Sequence, residues 1–174
     1  MEPEIIKEKV FKLLGCVFYG NPFHSAKGWD PRNEIGITWN RFMSLEKRYR
    51  TFLEQIKTGD AYGYEVHIEP ADYNIKKKFH IFVGIEVKSI DFFPLEMFYK
   101  ILPRTKYLFF TTKYMGEGSD YFFTKWLPES NYETSYPYLL QSYSPKRWRE
   151  NDPDSLMDWF IPIKKKNEDK KDDI

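Results

Sequence analysis

One glutamate set into a strand-like apolar run, Glu86, is the side chain in this sequence best placed to do chemistry, with Glu65 on the polar face of the preceding strand a second carboxylate. Glu86 lies in Phe79-His-Ile-Phe-Val-Gly-Ile-Glu-Val87, an almost unbroken apolar strand, and Glu65 lies in Ala61-Tyr-Gly-Tyr-Glu-Val-His-Ile68. A strand this apolar is covered on both faces, and an ionised carboxylate there is costly unless something pairs with it. Two chemistries follow. Among aromatic rings such a carboxylate serves as counter-charge to a desolvated lipophilic cation, which gains about 0.5–2 kcal/mol from each ring face it rests on. Alternatively, desolvation makes a carboxyl hold its proton more tightly, which suits a general acid or base. The competing account of Glu86 is a strand-edge residue paired to Lys88 or Lys78.

Other chemistries find no support. There is no phosphate loop, no dinucleotide glycine fingerprint and no serine in a nucleophile elbow. His24, His67 and His80 lack the spacing of a zinc helix, so neither metal nor cofactor is expected. The single cysteine, Cys16, excludes an intramolecular disulfide and sits in the apolar run Val10 to Phe18, where a buried thiol is expected. With 27 basic and 26 acidic residues the net charge is +1, too small to recruit nucleic acid directly. The N-terminal stretch has acids and no apolar signal core, and nothing approaches a membrane span of roughly 18 apolar residues, so a cytoplasmic protein is expected.

The elements that position the glutamates follow from periodicity. Residues 10 to 20 predict a strand, and the polar stretch Asn21 to Asn33, with Pro22, Gly28 and Pro31, predicts a flap-like connection. From Glu34 to Lys57 the residues Ile35, Trp39, Phe42, Leu45, Tyr49, Phe52, Leu53 and Ile56 recur at helical spacing, and Gly59 supplies a stop. Strands over Ala61 to Ile68 and Phe79 to Val87 form a hairpin with a long solvated tip. Alternation puts Glu86 on the face of Phe82 and permits Glu65 on the same side.

The second half predicts extended segments over Phe98 to Leu102 and Lys106 to Lys113, then a helix from Ser119 to Leu127 capped by Ser119 and ended by Pro128. Strands near Tyr136 to Tyr143 and Met157 to Ile163 complete it. Each half reads strand, helix, strand, strand, an internal duplication within one α+β domain over residues 1–163. The charged tail 164–174 has nothing to bury and is expected to be disordered.

Six motifs in order, Ile37-Thr-Trp-Asn-Arg-Phe42, Tyr62-Gly63, Val83-Gly-Ile-Glu-Val87, Leu102-Pro-Arg-Thr-Lys-Tyr107, Trp126-Leu-Pro-Glu-Ser-Asn-Tyr132 and Phe160-Ile-Pro-Ile-Lys164, resemble the GyrI-like family. This is the effector-binding domain also fused behind the DNA-binding helices of AraC-type and MerR-type multidrug regulators. The resemblance implies two pseudo-symmetric strand-helix-strand-strand repeats, an antiparallel sheet with helices on one face, and a ligand groove between the repeats. Trp39 matches the groove-facing helix tryptophan and Glu86 the acid of the glycine-any-Glu-Val strand. Where the family often places a second groove glutamate, this chain reads Ser135 to Tyr143 without an acid, Pro137 standing at or next to that position. Glu65 or Glu86 would have to substitute. With no helix-turn-helix region, the chain is expected to be a stand-alone effector-binding domain.

The resulting expectation is a small-molecule binding protein for an amphipathic, cationic or neutral aromatic compound. Trp39, Phe42, Tyr64, Glu65, Phe82, Glu86, Tyr136 and Tyr138 would line its site. The alternative implied by an enzymatic subset of the family is a hydrolase of reactive electrophilic xenobiotics, with Glu86 or Glu65 activating water. A third reading is an interaction protein acting on another macromolecule; a regulatory protein partner and the choice between monomer and homodimer stay open.

Overall fold

The computed structural model describes residues 3–25, 30, 32–113, 119–149 and 152–166. The strands are β1 (Glu4–Lys9), β2 (Lys12–Gly20), β3 (Gly63–Ile68), β4 (Phe79–Glu86), β5 (Phe98–Ile101), β6 (Thr105–Lys113), β7 (Tyr132–Thr134), β8 (Tyr138–Tyr143) and β9 (Leu156–Lys165). All pair antiparallel in one sheet of order β1-β6-β9-β8-β3-β4-β2-β5, with β7 added beside β9. The middle of that order, β6-β9-β8 followed by β3-β4-β2, reads the same from either end once the halves are matched. The expected duplication is therefore present, with its pseudo-twofold seam between β3 and β8.

Helix α1 (Glu34–Arg48) starts at Asn33, whose buried side chain accepts the Ile35 and Gly36 N–H groups, a standard N-cap. The single helix expected to Lys57 is interrupted at Tyr49, after which α2 (Arg50–Ile56) continues. The interruption is slight, because Tyr49 still bonds through its N–H to Leu45 and through its carbonyl to Leu53. Phe42, Leu45, Leu53 and Ile56 pack onto Leu14, Cys16, Ile81, Val83 and Ile85, so these helices cover β2 and β4. Cys16 is 1% exposed, and burial raises its thiol pKa, as its apolar surroundings predict. Residues 26–29 and 31 of the expected flap, Gly28 and Pro31 included, lie outside the described residues.

The second helical layer departs from expectation. A π-helical turn over Phe122–Trp126 runs into α4 (Leu127–Glu129), so Pro128 sits inside the helix instead of ending it. The widened turn sits directly before the proline: the Leu127 N–H reaches back five residues to Phe122, so the helix has already left the regular ladder that a proline N–H would have joined. Phe122 and Leu127 pack onto Leu108, Phe110, Trp159, Ile161 and Ile163, covering β6 and β9. Three residues assigned to the tail are also ordered. Lys164 and Lys165 extend β9 against β7, and the Lys166 ammonium donates to the carbonyls of Pro128 and Ser130 at the end of α4. Residues 167–174 lie outside the described residues.

The sheet is strongly curled. Strands β1 and β2 are separated only by Val10 and Phe11, yet they occupy the first and seventh places in the strand order. Six flat ladder steps would span about 29 Å, against a reach of about 10 Å for that connection, so the sheet must bend its two ends together. Phe11 fills the resulting interior, meeting Tyr107 edge-on at 5.2 Å and Phe160 at 5.4 Å, with Leu13, Val66, Phe82 and Leu140 packed around it. The close approach of strands is sharpest at the paired Gly15 and Gly84, where a Cβ on Gly84 would lie 2.3 Å from the Leu14 carbonyl oxygen.

Candidate functional site

Ladder register decides which glutamate faces the helices. Directly opposed residues share a face of the sheet, and Glu65 is opposed by Val83 and Gln141, whereas Tyr64 is opposed by Gly84 and Ser142. Val83 lies under α1, so Glu65 points to the helical side and Tyr64 to the curled interior. Glu86, two residues beyond Gly84 and paired with Leu13, also belongs to the interior side. The shared face that alternation permits for Glu86 and Glu65 is not the arrangement formed: the pairing register puts them on opposite sides of the sheet.

On the interior side, Glu86 closes the curl. Its carboxylate accepts from the Lys9 ammonium at 2.9 and 3.0 Å and from the Tyr64 hydroxyl at 3.1 Å. The partner is thus Lys9 from β1, not Lys88 or Lys78, because bending of the sheet brings the end of β1 to the end of β4. Burial and the neighbouring Glu86 charge hold the Tyr64 phenol protonated well above the usual tyrosine range. Phe82 is fully buried in this interior, and Tyr138 shares a 2.6 Å hydroxyl–hydroxyl bond with Tyr107. Burial pushes the Tyr107 phenol up to about 12. Tyr136 stacks on Tyr138 at 6.1 Å and lines a polar cavity of about 300 Å³ with Glu8, Arg104, Lys106 and Lys164.

The helical side holds a different constellation. Between the layer over β2 and β4 and the layer over β6 and β9 lies the seam of the two repeats, floored by Gly63, Glu65 and His67 of β3 and Leu139, Gln141 and Tyr143 of β8. Glu65 is 3% exposed at its centre. One carboxylate oxygen accepts the Trp39 indole N–H at 2.6 Å and the other meets the His67 imidazole nitrogen Nε2 at 2.5 Å. Tyr143 packs edge-on against Trp39 at 5.1 Å and against Trp148 at 5.4 Å, and its hydroxyl donates to Gln141 Oε1 at 3.0 Å. Tyr62, half-exposed, meets Trp148 at 6.4 Å.

Gly63 makes this arrangement sterically feasible. A Cβ there would sit 2.7 Å from Trp39 Cη2 and 2.9 Å from Cζ3, so the indole lies flush on β3 only because the position is glycine. The Tyr62-Gly63 motif therefore has a local cause.

Of the residues read from sequence, Trp39, Phe42 and Glu65 lie together on the helical side, with Phe42 beneath the indole in the core. Tyr64, Phe82, Glu86 and Tyr138 lie on the opposite face, and Tyr136 precedes β8. Sequence reasoning missed Tyr143 and Gln141 as neighbours of Glu65, and Trp148, which packs on Tyr143. Their signal was alternation: Leu139, Gln141 and Tyr143 share a face, and once β8 is placed beside β3, Gln141 falls opposite Glu65. Pro137, expected at or next to the second acid, instead lies outside β8 with its carbonyl accepting the Glu69 N–H, and the β8 residue level with Glu65 is the neutral Gln141.

Two pseudo-symmetric strand-helix-strand-strand repeats, with a carboxylate beneath aromatic side chains at their seam, define an effector-binding domain of the GyrI-like class. The family model of integron-associated effector-binding proteins, Cass2, matches residues 4–163, and the chain belongs to that family. Solved structures share the fold. SAV2435, solved bound to tetraphenylphosphonium, is 15% identical with a TM-score of 0.65, and the match covers 94% of both chains. An integron cassette protein from Vibrio cholerae is 14% identical at a TM-score of 0.53, covering 94% of this chain and 97% of that one. A transcription-regulation protein from Staphylococcus aureus MU50 is 12% identical at 0.56, covering 94% and 99%. No curated protein matches the sequence. No described helix is long and apolar enough to cross a membrane.

Proposed function

We propose that this domain binds an aromatic cation at the seam between its repeats, with Glu65 as the counter-charge. The observation that carries this reading is a nearly fully buried carboxylate oriented by an indole N–H, with Tyr143 packed edge-on against that indole and Trp148 against Tyr143. An isolated charge in such a place is costly, and a lipophilic cation supplies both the neutralising charge and surface for ring contacts. Support also comes from the fold relative bound to tetraphenylphosphonium, a permanent lipophilic cation.

The test is calorimetric titration with tetraphenylphosphonium of the wild type and the variants Glu65→Gln and Glu86→Gln. Loss of one charged contact of about 1.5–3 kcal/mol weakens affinity on the order of 10- to 100-fold for Glu65→Gln. Glu86→Gln, altered on the other face, should leave affinity within about twofold. Equal affinity of Glu65→Gln and wild type, or the reverse ranking, would remove Glu65 from the account.

A further inference from the structure

We infer that His67 is a specificity-determining residue of the Glu65 site, an internal cation that a bound ligand cation must replace. The inference rests on the function proposed above and extends it to proton-coupled selection. Its geometric basis is the contact between His67 Nε2 and Glu65 Oε1, on the carboxylate oxygen that the Trp39 indole leaves to it. Both groups stand on the same face of β3, two residues apart, so the strand itself fixes the pair.

The surroundings make Glu65 the controlling partner. The ladder neighbours of His67 are Ile81 on β4 and Leu139 on β8, and its ring packs at 5.4 Å on Phe79, all apolar. His80 of β4 stands opposite Ile68 and so faces the other side. From α3 (Tyr73–Lys76), Tyr73 reaches Phe79, while Lys76 is committed to Asp72. From α1, Trp39 brings a neutral donor to Glu65, and from β8 the neutral Tyr143 hydroxyl lies between Glu65 and the Gln141 amide oxygen. Among the described residues, Glu65 is the charged side chain within ion-pair distance of His67.

Histidines change charge between about pH 5 and 8. Protonated, the His67 imidazolium neutralises Glu65 from inside the fold and repels an incoming cation. Neutral, the imidazole donates one N–H and leaves the carboxylate's charge for the ligand. Linkage makes the effect reciprocal: cation binding expels the proton, and protonation expels the cation. A ligand without positive charge gains nothing from the exchange. The site therefore prefers permanent cations at neutral pH and loses that preference under acid.

The experiment measures tetraphenylphosphonium affinity from pH 5.5 to 8 by calorimetry in two buffers of different ionisation enthalpy, with the neutral triphenylphosphine oxide as control. Wild-type affinity for the cation should rise by roughly tenfold across that range, with up to one proton released per cation bound, while affinity for the oxide stays flat. His67→Gln, which keeps an N–H donor without a titratable charge, should bind the cation equally well at every pH. His67→Lys should weaken it at every pH. Cation binding that needs Glu65 but shows no pH dependence and no proton release in the wild type overturns the inference and leaves the site intact. Absence of any Glu65-dependent cation binding overturns both.

Discussion

Replacing Gly63 by alanine tests the architecture of the site through a single methyl group. The added Cβ would meet the Trp39 ring at 2.7 and 2.9 Å and the Gly84 carbonyl oxygen at 3.3 Å. Carbon contacts relax at about 3.5–4 Å, so the indole must retreat by about 1 Å from β3. Glu65 is on the same strand, and that retreat takes Trp39 Nε1 from 2.6 Å out of hydrogen-bond range of the carboxylate. Losing a hydrogen bond to a buried charged group costs about 1.5–3 kcal/mol and overpacking costs about 1–3 kcal/mol, offset by about 0.5–1 kcal/mol from alanine's smaller unfolded-state entropy. The net expectation is about 2–4 kcal/mol lost, or roughly 5–15 °C in Tm for a chain of this size. Urea unfolding followed by circular dichroism reads the stability. The decisive comparison is in a Trp39→Phe background, where the ring atoms that Cβ strikes are gone and the hydrogen bond is already absent. There Gly63→Ala should be nearly neutral, giving a coupling of about 2 kcal/mol or more. Equal costs in both backgrounds would show that Gly63 is not kept by the indole, and the reasoning would fail.

Two further outcomes follow from groups outside the seam. Asn33→Ala removes a buried cap that accepts two backbone N–H groups and should cost about 1–2 kcal/mol in urea unfolding; a change under 0.3 kcal/mol would show that α1 starts without it. Tyr107, Tyr138 and Tyr64 all hold their protons more tightly in the fold than an exposed phenol does. Above about pH 10 the unfolded chain then binds fewer protons than the folded one, so stability falls as pH rises, by on the order of 2–3 kcal/mol for Tyr107 alone as pH approaches 12. Urea midpoints measured from pH 9 to 11 should decline, and a flat profile would contradict the buried phenol cluster.

Much of the fold was legible because its elements obey simple periods. The Phe79 to Val87 strand and the helix beginning at Glu34 came directly from alternation and three- to four-residue spacing, and the duplicated order of elements followed. Strand β1 did not, because Glu-Ile-Ile-Lys-Glu-Lys is an exposed edge whose charges mask its pairing. The site was only half legible for a related reason. Alternation assigns Glu65 and Glu86 to faces of their own strands, but the relation between strands depends on register. The tip from Glu69 to Lys78 is too long to set that register by turn geometry. Both faces of the central sheet are covered, so hydrophobicity does not mark which side carries the helices. Glu86 stood out in the sequence as the lone carboxylate of an apolar strand, and only register shows that it clasps the curl through Lys9; Gln141 and Tyr143 became visible only when β8 lay beside β3.

The two-residue join between β1 and β2 also constrains how the molecule assembles. β1 is made before the rest of this domain, yet its hydrogen-bonding partner is β6, with Glu4 opposite Phe109 and Lys9 opposite Thr105. The first repeat can therefore form its own hairpin and helix while its leading strand waits, unpaired, for about a hundred further residues to be made. Contacts of such sequence separation are slow to form. Docking of β1, and with it the Lys9 to Glu86 clasp, is accordingly the step that registers completion of the second repeat, and until then the chain carries an open strand ahead of its first repeat.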